Sequence, residues 1–473
     1  MISTEQKAFL QDAEVKAHDL RHRAIIHKAT VTHETNVHRA RDRFVDWQDA
    51  RTQAALIKWD ALNHLDRYLE QFEANILQRG GHVFWAETGA EVRDYVLDLC
   101  RRKGVKKVVK SKSMASEEIH LNEIFHEHGV EPVETDLGEF IVQLRNEPPY
   151  HIVTPAMHLT KGDISELFAE KLGADPTGSA EDLTMTARKV MRNHFLTAEM
   201  GITGGNFLIA ETGSVVTCTN EGNARLGAGL PRIHVAIVGI EKVLPKLEHL
   251  ALFLPLLATS GTGQTVTVYN TLWNGPRQPD EPDGPEEFHV ILFDNGRTNL
   301  LADVEQREAL HCIRCGACLN ACPIFRNVGG HTYGTTYQGP IGSVITPHLR
   351  GYEEFKHLSY ASSLCGNCSE VCPVHIHLHH HLLHNRRNAV RKGLAGALEA
   401  FAFRVWTWAM SDAKRYRLAN KLGRIGQMLA SSPGIQGSAL DPMRGWTQTR
   451  EFPMMAKESF KEWWGKREGN SRE

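Results

Sequence analysis

Seven of the nine cysteines fall between Cys312 and Cys372, at spacings that suit an inorganic cluster better than a disulfide framework. The first run, Cys312-Ile-Arg-Cys315-Gly-Ala-Cys318-Leu-Asn-Ala-Cys322-Pro323, is a complete C-x2-C-x2-C-x3-C-P pattern. Three closely spaced thiolates wrap one cubane, and the fourth, turned away before the proline, serves a second cluster. Gly316 keeps the loop free of a side chain beside the inorganic sulfides. Zinc more commonly takes paired C-x2-C knuckles separated by a longer loop. The 2-2-3 spacing therefore predicts iron–sulfur chemistry.

The second run, Cys365-Gly-Asn-Cys368-Ser-Glu-Val-Cys372-Pro373, ends the same way but is one cysteine short, with Ser362 where the full pattern places a ligand. Crossed ligation assigns Cys312, Cys315, Cys318 and Cys372 to cluster 1, and Cys322, Cys365 and Cys368 to cluster 2. Three outcomes stay open for the last iron of cluster 2. Ser362 or another oxygen or nitrogen donor holds it, hydroxide or a small ligand holds it, or it is absent. The expectation is two 4Fe–4S clusters, with 3Fe–4S as the alternative for the second. The histidine-rich tract His375–His384 reads as the polar side of a following helix, and the remaining thiols, Cys100 and Cys218, as buried structural cysteines.

Two central stretches have residue types suited to binding a small anion. Val108-Val-Lys110-Ser-Lys112-Ser-Met114 runs from a strand towards an acidic helix start, where open α/β sheets bind ligands. The second spans Gly201 to Arg225 and contains Asn206, Glu211, Asn220 and Glu221 among turn-forming glycines. Lys110, Lys112, Asn206, Asn220 and Glu221 are candidate substrate-binding residues. Glu211 and Lys110 are candidate catalytic residues, Glu211 as a base. Simple hairpin turn chemistry is the competing reading.

Residues 1–79 contain neither glycine nor proline, which predicts helix. From about 80 to 300, strand-like runs (Lys107–Val109, His151–Thr154) alternate with helix-like runs (Glu91–Lys103, Glu117–Glu127), predicting a parallel sheet covered by helices. A helix over 301–311 leads into the first cysteine run. The expected divisions are an N-terminal helical region (1–79), an α/β domain (80–300), a small ferredoxin-type domain (301–390) and a C-terminal helical region with tail (391–473). The scattered N-terminal histidines read as solvated helix face. With 54 basic and 56 acidic side chains and a net charge of −2, the chain lacks the basic stripe of a nucleic-acid binder. No signal-like or membrane-spanning run is evident, so the expectation is a cytoplasmic protein whose membrane contact is at most peripheral. No G-x-G-x-x-G in a clear βαβ setting indicates a flavin or nicotinamide.

Together these motifs, with Glu134–Glu139, Glu211–Ser214, Asn220–Arg225, Asp283–Glu287 and Asp294-Asn-Gly-Arg297, make the chain resemble the LutB/YkgF family of bacterial lactate utilization proteins. The resemblance covers nearly the whole chain. It implies a lactate-utilization (LUD) domain similar to the sugar-phosphate isomerase/CoA-transferase fold. It also implies a cytoplasmic complex oxidising L-lactate to pyruvate, in which this subunit works with a cysteine-rich subunit and a second LUD-domain subunit. Electron transfer is the leading role, oxidation of the hydroxy acid by the LUD domain itself the second. An iron–sulfur sensor or assembly protein is the third.

Overall fold

The glycine- and proline-free N-terminus forms four helices: α1 (Thr4–His18), α2 (Leu20–Arg41), α3 (Trp47–Asn63) and α4 (Leu65–Gln78). The breaks fall at side chains that capture backbone donors. Asp19 accepts from the His22 N–H, and Asp46 from those of Gln48 and Asp49. Helix α4 buries Leu65, Leu69, Phe72 and Ile76, the one-face pattern of an amphipathic helix. The coordinates are a computed structural model describing residues 3–430, 438, 441, 444–447, 453–456 and 458–470.

Among the described residues ten strands follow: β1 (His82–Ala86), β2 (Lys107–Lys110), β3 (Glu131–Glu134), β4 (Met200–Thr203), β5 (Phe207–Ile209), β6 (Ser214–Thr219), β7 (Ile233–Gly239), β8 (Val243–Leu244), β9 (Tyr269–Trp273) and β10 (Glu287–Phe293). Six of them make a fully parallel sheet in the order β1-β10-β7-β4-β2-β3. Strand β7 is buried along its whole length, as expected for a central parallel strand covered on both faces. The other four form a small sheet, β8-β5-β6-β9, beside the carboxyl ends of β4 and β7.

Three local expectations fail for physical reasons. His151–Thr154 is a bend and not a strand, because His151 Nδ1 accepts the N–H groups of Val153 and Thr154 that a ladder would need. The run Glu117–Glu127 is two helices, Met114–Glu118 and Leu121–Glu127, parted at His120, whose φ is +52°. The approach to the first cysteine is a short helix, Arg297–Ala302, then a 3-10 turn, Arg307–His311.

Residues Met1–Gly393 form one compact unit and Leu394–Glu473 another. In the first, α2 and α3 share a core with the cysteine module, joining Ile26, Ala54 and Leu62 to Ile313, Leu319 and Phe325. Two helices of the second unit, Ala397–Met410 and Ala413–Ala430, carry exposed aromatic side chains such as Phe401, Trp406 and Trp408. The Gly/Ser-containing stretch 431–437 of the expected tail lies outside the described residues. Among the described residues, no helix is long and apolar enough to cross a membrane.

Candidate functional site

The two cysteine runs fold into equivalent loops. In the first, Arg314 (φ +61°) and Gly316 (φ +80°) turn the chain into the helix Ala317–Ala321, and Pro323 follows Cys322. In the second, Leu364 (φ +56°) and Gly366 (φ +81°) precede the helix Asn367–Glu370, and Pro373 follows Cys372. Cys312, Cys315, Cys318 and Cys372 line one small apolar cavity closed by Ile152, Ile341 and Val374. This all-thiol donor set in a dry pocket fits an iron–sulfur cubane. Burial pushes the Cys372 thiol up to about 12, and the Cys368 thiol up to about 11 with a further contribution from Cys322 and Cys365. Cationic iron would offset that cost by neutralising the thiolates. Cys365 is exposed.

The loops are anchored from outside. Arg51 of α3, almost wholly buried, donates to the backbone carbonyls of Cys372 (2.9 Å) and Glu370 (2.8 Å). Seven residues on, Lys58 donates to the backbone carbonyl of Glu241 in the α/β domain. His377 and His381 of the histidine tract bond to Glu308, which ties the chain before Cys312 to the chain after Cys372. That tract is therefore partly a buried brace, since His381 is buried. Nor is His22 solvated: it is buried, with its Nε2 2.7 Å from the Tyr150 hydroxyl.

Gly316 has no room for a side chain, because a Cβ there would lie 2.9 Å from both His151 and Val153. At Gly366 nothing lies within 4 Å. Both positions have φ near +80°, where a non-glycine residue costs about 1–2 kcal/mol. Gly316→Ala is therefore expected to lower iron content and melting temperature more than Gly366→Ala, measured by iron per chain and thermal unfolding.

A larger cavity of about 610 Å³ opens where β2, β4 and β7 end, the usual place for a ligand in an open parallel sheet. Of the expected residues, Lys112, Asn206, Asn220 and Glu221 line it. Burial and the nearby Asp136 raise the Glu221 carboxyl to about 7. Asn206 and Asn220 also pin their own loops, accepting the N–H groups of Cys218 and Val268 respectively. Cys218 is half-buried: it packs against the core and also lines the cavity wall.

Lys110 and Glu211 are not brought to this cavity. Lys110 is fully buried, with Nζ 2.6 Å from Glu134, 2.7 Å from Asn122 and 3.2 Å from Glu117. Burial pulls its ammonium down, but Glu134 and Glu117 outweigh that and hold it protonated. It braces β2 against β3. Glu211 instead accepts the Leu247 N–H at 2.8 Å.

Several cavity residues escape a reading of the sequence: Lys242, Glu241, Arg297, Arg314 and Tyr337. They belong to a buried charge ladder. Arg297 donates to Glu118 (2.8 and 3.1 Å) and to Glu241 (2.8 Å), Arg314 lies 3.4 Å from Glu241, and the Tyr337 hydroxyl donates to Glu118 at 2.7 Å. The Arg314 guanidinium also sits over the Tyr337 ring, 4.6 Å from its centroid. Burial would raise the Glu241 carboxyl, yet Arg297 and Arg314 hold it down at about 2. Burial lowers the Lys242 ammonium to about 7. One signal was available in the sequence: an arginine set between two cysteines of a cluster-binding run, if buried, needs an anion as its partner. The ladder and Cys315 form the wall between the cavity and the first cysteine loop.

Comparison with known proteins agrees with this architecture. A LUD domain model matches residues 69–293, a 4Fe-4S dicluster domain model matches 308–376, and a model of the C-terminal part of lactate utilisation protein B matches 383–469. Lactate utilization protein B of Bacillus velezensis is 45% identical over 431 residues, covering 91% of this chain and 90% of its own. The Bacillus cytotoxicus protein of the same name is 44% identical, with 91% of each chain covered. A duf162 family protein from Deinococcus radiodurans, known from a crystal structure, aligns with 48% of this chain and 98% of its own, at 14% identity and a TM-score of 0.28. The protein carries an α/β LUD domain and an iron–sulfur domain, and it belongs to the lactate utilization protein B family.

Proposed function

We propose that this chain is the iron–sulfur electron-transfer subunit of a complex that oxidises L-lactate to pyruvate. A cysteine-rich subunit and a second LUD-domain subunit would complete that complex. The lactate assignment is supported by the relatives, which are named lactate utilization protein B. One observation supports the electron-transfer role: Cys315 lines the 610 Å³ cavity, whereas Cys365 of the other loop is exposed. One loop presents a thiol to a space of ligand size and the other presents one to the surface, as a relay needs. Lactate oxidation releases two electrons and two protons. Iron–sulfur clusters, when bound, accept electrons singly, so two of them match one turnover.

The same adjacency favours a second reading, in which the cavity itself holds the hydroxy acid. Arg314 and Lys242 would attract the carboxylate, and Glu221 would accept a proton.

Anaerobic reconstitution followed by addition of L-lactate tests both readings. The expected result is bleaching of the cluster absorption only when the partner subunits are present, and no bleaching with partners would overturn the relay. Bleaching by the chain alone would establish the second reading. In that case the rate should pass through a maximum near pH 7, rising as Glu221 loses its proton and falling as Lys242 loses its own, and Glu221→Gln should abolish the rising limb.

A further inference from the structure

The two cysteine loops match bond for bond, and the match extends to the position where the second lacks a cysteine. In the first loop, the N–H groups of Leu319 and Asn320 donate to the Gly316 carbonyl at 3.0 and 3.2 Å, and that of Cys322 to Leu319 at 3.1 Å. In the second, Ser369 and Glu370 donate to the Gly366 carbonyl at 2.9 and 3.2 Å, and Cys372 to Ser369 at 3.3 Å. The residues two before each glycine share the left-handed backbone, Arg314 at +61° and Leu364 at +56°. The Arg314 N–H donates to Cys312 Sγ at 3.4 Å, and the Leu364 N–H donates to Ser362 Oγ at 3.1 Å. Ser362 Oγ thus takes the place of the Cys312 sulfur, with the same backbone donor upon it.

That placement selects among the three fates of the last iron. In the first loop an atom held this way belongs to the thiol set lining the cluster cavity. The equivalent oxygen belongs to the set of Cys322, Cys365 and Cys368. A backbone N–H aimed at a donor atom favours its anionic form, and the Arg386 guanidinium, 3.3 Å from the Ser362 carbonyl, adds positive charge at the same residue. Arg386 is itself held by the Ser359 carbonyl at 2.9 Å and lies over the Tyr360 ring.

We propose that Ser362 Oγ is the fourth protein ligand of the second cluster, making it a 4Fe–4S centre with one oxygen donor. An Fe–O bond forms as the hydroxyl O–H bond breaks. The proton passes to bulk water, and no electron moves. The inference rests on the reading that the two loops hold two clusters.

The test uses the full chain, purified anaerobically as wild type, Ser362→Ala, Ser362→Cys and Ser363→Ala, the last an exposed neighbour serving as control. Iron and sulfide content, Mössbauer spectra and electron paramagnetic resonance are read on each. Wild type and Ser363→Ala should hold two four-iron clusters. Ser362→Ala should lose one iron, from the second cluster only, and show the signal of an oxidised three-iron centre. Ser362→Cys should keep all its iron and shift the spectrum and potential of the second cluster alone, a result that also guards against misfolding of the alanine variant. A three-iron centre in the wild type, or an unchanged four-iron spectrum in Ser362→Ala, would overturn the proposal. Failure of wild type to hold any iron would instead sink the cluster reading beneath it.

Discussion

Replacing Cys372 by alanine is expected to empty the cluster bound by the first cysteine run, although Cys372 ends the second. The reason is spatial: Cys372 shares its apolar cavity with Cys312, Cys315 and Cys318, and not with Cys365 or Cys368. Cys322→Ala should do the reverse and empty the cluster of the second run. Among the cysteines, Cys322 feels Cys365 most strongly, and Cys368 in turn feels Cys322 most strongly. Each variant should lose roughly half of the bound iron, since each pattern feeds its last cysteine to the other cluster. Magnetic resonance decides the matter by which signal disappears. If Cys372→Ala and Cys365→Ala removed the same signal, the crossed assignment would be wrong.

Arg297→Met should be the most destabilising single change in the α/β domain. Arg297 is 2% exposed and stands between Glu118 and Glu241, themselves nearly inaccessible. Removing it strands two buried carboxylates, which typically costs about 3–5 kcal/mol. The pH dependence identifies the mechanism. In the wild type Glu241 is held at about 2, below its ordinary 4.5, so its contribution is complete above the higher value and is lost as pH falls towards the lower. Without Arg297 the stranded carboxylates favour protonation, so the variant should regain stability as the medium becomes mildly acidic. Urea unfolding at neutral and mildly acidic pH should show the gap between the two proteins narrowing. A gap that stayed constant would point to lost packing instead.

The cluster loops were legible because their chemistry is local: a few residues of spacing specify which thiols can meet one iron cube. The parallel sheet was legible from alternating strand-like and helix-like runs such as Lys107–Val109 and Glu91–Lys103. What eluded the sequence lies where partners come from far apart. Lys110 and Lys112 stand two residues apart in one basic stretch, yet one is sealed against Glu134 and the other lines the cavity. Their order in the chain does not reveal which has a buried carboxylate waiting on β3. Arg297 showed only as part of an Asp-Asn-Gly-Arg motif. Its meaning emerges when Asn295 and Gly296, both at positive φ, turn it onto Glu118 and Glu241. His151 misled because an imidazole that gathers backbone N–H groups looks, in sequence, like one more residue of a strand.

Helix α3 has a consequence for the speed of the proposed relay. Arg51 grips the Cys372 carbonyl and Lys58 the Glu241 carbonyl, two turns or about 10 Å apart along one rigid rod. Electron tunnelling weakens exponentially with separation, so a donor and acceptor that jostle against each other pass charge unevenly. Here the cavity wall and the cluster loop are clamped to the same helix. Thermal breathing of the domain would carry them together, and the tunnelling gap would stay nearly constant from one turnover to the next.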